Sequence, residues 1–150
     1  MQKGKIFHRS ARLAGILLLL ATAAHCTFGT AEVLSGIKVD AVRDNMVVFL
    51  KNLWVYSSVM IFLSALWVLF LAKDLGRLRR RAWWQGILVG LGYTGGAAGA
   101  MVWAGIQPHL VAFAVIGLVL LIPLIWGAGA FKNDEKLGPP QEKPNSTLIK

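Results

Sequence analysis

Apolar residues gather in four long runs, Leu13–Phe28, Met46–Leu71, Trp83–Trp103 and Leu110–Ala130, with Arg, Lys, Gly and Pro collected between them. A helix rises about 1.5 Å per residue, so about 20 apolar residues cross a hydrocarbon core of roughly 30 Å. The first run reaches that length by borrowing Phe7–Arg12. The pattern predicts an all-α, polytopic membrane protein: a four-transmembrane-helix bundle with helices over residues 7–29, 45–72, 83–103 and 109–130. These helices form one domain, residues 1–131. The tail, 132–150, turns to Lys, Asp, Glu, Gly, Pro and Asn and is expected to be a disordered cytoplasmic segment.

Local signals place the boundaries. Gly29 is expected to end the first helix, because glycine accepts the left-handed conformation found after a helix. The next loop, Thr30–Arg43, contains Ala31–Ile37, readable as a short interfacial helix or an ordered coil. Asp44 or Asn45 is placed to cap the second helix, and Pro108 to open the fourth, where its missing N–H costs nothing. Pro123 lies deep in that last helix, removes the donor to the Val119 carbonyl and predicts a kink. The basic, then apolar, N-terminal stretch with Ala21, Ala23 and Ala24 resembles a signal peptide, but the run continues through Cys26 and Phe28 and reads better as a retained helix.

Composition agrees: 56% of the residues are hydrophobic and mean hydropathy is +0.60, above an ordinary soluble domain. The net charge of +9 would suggest a nucleic-acid partner were it not confined to the flanks of the apolar runs. Lys3, Lys5, Arg9 and Arg12 accompany the first run, and Lys73, Arg77, Arg79, Arg80 and Arg81 separate the second from the third. The other two loops lack such an excess, so the positive-inside rule puts both termini and the Arg77–Arg81 loop in the cytoplasm. A bacterial inner membrane is the expected location. Arg77, Arg79, Arg80 and Arg81 are assigned to topology and to attraction for anionic lipid. Membrane lipids are thus partners, and nucleic acid is not. Cys26 stands alone, which excludes an intramolecular disulfide and a C-x-x-C redox pair.

The third run is rich in small residues: Gly86 and Gly90, Gly92 and Gly96, and Gly95 and Gly99 are each four apart. Such rows let helix backbones approach closely in lipid, so this helix is expected to be a packing hub. The alternative is that the glycines clear room for a flat ligand such as a lipid or quinone.

Ionisable residues inside apolar runs are costly and mark where chemistry would reside. Here His25, Lys51 and His109 all fall toward one end of their helices, with Glu32 in the loop beside them. They form the candidate polar cluster, within which His25 is in line to meet Tyr56 or Ser57 across the first helix pair. The competing explanation is plain hydrogen bonding between helices, with Lys51 extended to the headgroups. His25 and His109 make a bis-histidine haem geometrically conceivable, but two histidines are too few for zinc, and neither metal nor cofactor is assigned. The sequence carries no G-x-S-x-G, H-E-x-x-H, P-loop or paired intramembrane carboxylate, so no catalytic residue is assigned.

A helix ending in His25-x-x-x-Gly29, followed by Trp54 and Ser57–Ser58 on the second helix, resembles a group of uncharacterised small bacterial four-helix integral membrane proteins that are loosely DoxX-like. The resemblance spans about residues 10–130, and Val55 stands where those proteins carry a second His. It implies a membrane bundle with cytoplasmic ends and brings no activity with it. The function expected from the sequence is a non-catalytic accessory or scaffold subunit, associating with a membrane-protein partner or with its own copies. The alternative is a small transporter or a lipid- or quinone-linked oxidoreductase component working through His25, Lys51 and His109.

Overall fold

The computed structural model describes residues 2–31, 33, 35 and 44–131. Glu32 and the tail 132–150 lie outside the described residues, as does most of Thr30–Arg43. Four long helices make up the fold: α1, Gln2–Ala24; α2, Asp44–Gly76; α3, Arg80–Ala104; and α4, Pro108–Trp126. Each is long and apolar enough to cross a bilayer.

The helices run up, down, up and down, α1 packing on α2 and α4, and α3 on α4 and α2. The Arg77–Arg81 turn, the start of α1 and the close of α4 share one end, called the basic end below. The buried core lies toward it. Ala11, Ala14 and Leu18 of α1 meet Ala65, Val68, Ala72 and Leu75 of α2, while Trp83 and Ile87 of α3 meet Leu120, Leu121 and Leu124 of α4. Small residues on α1 and α2 bring the backbones together, most closely where Gly4 meets Gly76. Toward the far end burial thins out. Beyond Leu18, Ile61 and Gly90, the buried residues on the first three helices are Ser58 and Ala97.

Three terminal arrangements explain how the chain turns. Leu78, at φ 59°, ends α2. Its N–H reaches the Leu75 carbonyl at 3.0 Å, and Arg79 N–H reaches the Asp74 carbonyl at 3.2 Å. These are the paired bonds of a Schellman closure, with leucine in the left-handed position glycine usually takes. At the far end Gly105, at φ 81°, ends α3, and Pro108 opens α4. The third arrangement closes α4, whose last carbonyls lack helical donors. The Trp83 indole N–H donates to the Leu124 carbonyl at 2.8 Å. Phe131 then folds over Phe7, their rings 4.9 Å apart, and plugs the basic end. Helix α4 continues through Pro123 to Trp126.

Two sequence expectations are corrected by this packing. Gly29 does not end the first helix with a left-handed residue, since Gly105 is the glycine with positive φ among the described residues. Instead α1 widens into a π-helical turn, His25–Gly29, and Thr30 beyond it keeps right-handed helical angles. The glycine row of α3 also divides. A Cβ on Gly86 would lie 2.7 Å from Leu124 Cδ1 and one on Gly90 2.6 Å from Leu121 Cγ, so both belong to the α3–α4 contact. Gly92, Gly95, Gly96 and Gly99 have nothing within 4 Å of that position among the described residues, because they lie on the face of α3 turned away from α4, while the contact itself runs on through Thr94 and Ala97.

Candidate functional site

The π-turn organises the far end of the α1–α2 pair. Residues four apart share a face of an α-helix, whereas a π-turn brings residues five apart into line, and such turns concentrate at functional sites. His25, Gly29 and Thr30 therefore all face one side chain, Trp54 of α2. The His25 imidazole stacks on the Trp54 ring, centroids 3.7 Å apart and planes inclined by 16°. Gly29 lies beneath the indole, where a Cβ would come within 2.5 Å of Trp54 Cζ2. The indole N–H donates to Thr30 Oγ1 at 3.0 Å. Hydroxyls also support the turn, Thr27 donating to the Ala23 carbonyl at 2.9 Å and Thr30 to that of His25 at 3.4 Å.

The direction of the hydrogen bonds decides what His25 can do. Ser57 donates its hydroxyl proton to the Trp54 carbonyl at 2.8 Å, and Ser58 donates to the same oxygen at 2.9 Å. With its proton so placed, Ser57 Oγ is an acceptor for His25 Nε2, 3.1 Å away, in the tautomer that carries its proton there. A serine nucleophile needs the opposite polarity, with its hydroxyl proton aimed at the imidazole. In this arrangement the pair connects α1 to α2. A proton on Nε2 leaves Nδ1 as the acceptor in the neutral ring.

A cavity of about 570 Å³ opens beside Trp54, lined by Cys26, Thr30, Lys51, Trp54 and Ser58 among others. Its wall is apolar apart from these few groups. Lys51, one turn before Trp54, is exposed at its rim. His109 is exposed at the start of α4, which lies at the same end of the bundle as His25. The structure sets Lys51 beside Trp54. It makes Ser57 the partner of His25 and leaves Tyr56 exposed. Among the described residues no three His, Cys, Asp or Glu side chains gather as a metal site would require.

Thr30 is the site residue that the sequence reading did not single out, and Trp54 entered it as part of the resemblance and not of the polar cluster. A signal for them exists: His25, Gly29 and Thr30 on one helix are matched by Trp54, Ser57 and Ser58 on the next, two sets spaced to fill one face each. No family model, curated protein or solved structure matches the chain.

Proposed function

We propose that the protein is a non-catalytic accessory subunit, a helical scaffold within a larger assembly of a bacterial inner membrane, with both termini and the Arg77–Arg81 turn in the cytoplasm. The observation that carries this reading is the contrast between two faces of α3. Gly86 and Gly90 are filled by leucines of α4, and Gly92, Gly95, Gly96 and Gly99 on the opposite face have nothing within 4 Å among the described residues. Glycines lower helix stability and are retained in membrane helices where another backbone comes close, so the open face of α3 suits a helix from a partner or a second copy. The Ser57–His25 bond supports a structural role for His25, as does the matching bond of His8 Nδ1 to the Ala72 carbonyl at 3.0 Å for the other histidine held between α1 and α2. The Lys/Arg distribution supports the orientation.

The test is co-purification. Gentle extraction of the tagged chain at native abundance should bring down stoichiometric companions, or a cross-linked ladder if the companion is another copy. Gly96→Leu should abolish either without lowering the amount of chain. A chain that migrates alone in several mild detergents overturns the reading.

A second reading rests on a separate observation, the 570 Å³ cavity with Lys51 at its rim and Trp54 in its wall. Such a space suits an amphiphile with an anionic head, as in a lipid- or quinone-linked component. Organic extraction of the purified protein followed by mass spectrometry, with an optical spectrum for haem or flavin, distinguishes the two.

A further inference from the structure

The four arginines of the turn after α2 are not equivalent. Arg80 lies over the rings of Trp83, at 4.4 Å, and Trp84, at 5.8 Å, a cation–π arrangement that occupies its guanidinium. Arg77 and Arg79 approach Asp74 at 3.8 and 3.6 Å, long, exposed pairings of little strength. Arg81 has neither an ion pair nor a ring partner among the described residues. It lines, with Arg79, Asp74, Gln85, Trp67 and Phe70, a groove of about 380 Å³ between α2 and α3.

We infer that this groove is a discrete site for one anionic glycerophospholipid of the surrounding bilayer, its phosphodiester held by Arg81 and Arg79 and an acyl chain laid along Trp67 and Phe70. Charge fixes the occupant. Two guanidinium groups and one carboxylate line the groove and leave one positive charge, which a single phosphodiester neutralises. Geometry fixes the orientation. Phe70 and Trp67 lie about one and two turns along α2 from Asp74, away from the basic end and into the apolar stretch of the helix, while Gln85 adds a neutral donor beside the arginines. Arginine suits the head because its planar fork bonds two phosphate oxygens at once.

The site differs from diffuse attraction in one measurable respect, because Arg80 and Arg81 carry the same charge one residue apart. Native mass spectrometry of the full chain, released from detergent with phosphatidylglycerol or phosphatidylcholine, reads the bound lipid. The expected result is retention of phosphatidylglycerol over phosphatidylcholine, weakened about tenfold more by Arg81→Gln than by Arg80→Gln, the size of one charge-assisted contact. Arg81→Lys, which keeps the charge and loses the planar fork, should fall between the wild type and Arg81→Gln, and Phe70→Ala, at an exposed position, should lower affinity for long-chain more than for short-chain phosphatidylglycerol. Equal losses from Arg80→Gln and Arg81→Gln overturn the proposal in favour of surface attraction. Displacement of the lipid by millimolar inorganic phosphate overturns it in favour of a free anion. If Arg81→Gln yields no folded chain, an unchanged chain-length preference in Phe70→Ala overturns it independently.

Discussion

The imidazole of His25 lies flat on the indole of Trp54, 3.7 Å from centroid to centroid, and this stack joins α1 to α2 at the end of the bundle where few other residues are buried. Each ring is also fixed from another side, His25 by Ser57 and Trp54 by Thr30. The far end of the pair therefore depends on a polar clasp, while the basic end combines the close fit of Ala, Gly and Leu with the bond of His8 to the Ala72 carbonyl.

The clasp predicts a non-additive pair of substitutions. Gly29→Ala puts a methyl where Trp54 Cζ2 now lies, and should lower unfolding stability by about 1–3 kcal/mol, the usual cost of overpacking. In a Trp54→Ala background the same change meets no indole and should cost less than about 0.5 kcal/mol. Denaturation of all four variants in one detergent, followed by circular dichroism, gives the coupling. Additive losses would mean that Gly29 acts through its backbone alone.

Ser57 offers a chemical test. Its proton is committed to the Trp54 carbonyl, so a fluorophosphonate reagent that labels activated serines should leave the chain unmodified. Ser57→Ala should cost about 0.6–2 kcal/mol in the same unfolding assay by stranding the His25 N–H. Stoichiometric labelling of Ser57 would reverse the hydrogen-bond direction argued above and reopen a catalytic reading.

At the basic end the expected loss is that of a helix cap. Trp83→Phe keeps the ring against Phe131 but deletes the N–H that reaches the Leu124 carbonyl at 2.8 Å. That carbonyl is buried among Leu and Phe, and the variant should lose about 1–2 kcal/mol, more than the same change at the half-exposed Trp84. Thermal unfolding of the two variants side by side measures the difference.

The packed and open faces of α3 should respond oppositely to added bulk. Gly117→Ala drives a methyl into Thr94 Oγ1 and the Gly90 carbonyl and should reduce the yield of folded chain. Gly96→Ala meets open space and should leave the isolated chain as stable as before, or slightly more so, since alanine favours helix by about 1 kcal/mol. Size-exclusion profiles and melting temperatures of both variants check the contrast. Loss of folded chain from Gly96→Ala would place another part of the protein against that face.

Much of the architecture was legible in the residues. The length and spacing of the apolar runs give four helices, and Pro108 marks the start of α4 as expected. The helix limits were less accurate. Helix α2 continues to Gly76 and α1 begins at Gln2, because Lys and Arg are good helix formers, so Lys5, Arg9 and Lys73 continue a helix past its apolar run. The pairing of His25 with Ser57 was anticipated as one of two options, and only the rotation of α2 places Ser57 inward and Tyr56 outward.

By itself, the sequence determined the number and kind of elements, since hydropathy over twenty residues is a property of the local chain and needs no partner. Tertiary structure alone decided which face of each helix is used. It decided that Gly86 and Gly90 are packed and Gly92 to Gly99 are bare, that a π-turn aligns His25, Gly29 and Thr30 under Trp54, and that Arg80 rests on tryptophan while Arg81 faces a groove. The reason is physical: helices that are apolar nearly all round carry little amphipathic signal to orient them, so their rotation is set by the fit of small residues and a few directional hydrogen bonds between helices, which exist only once the helices have met.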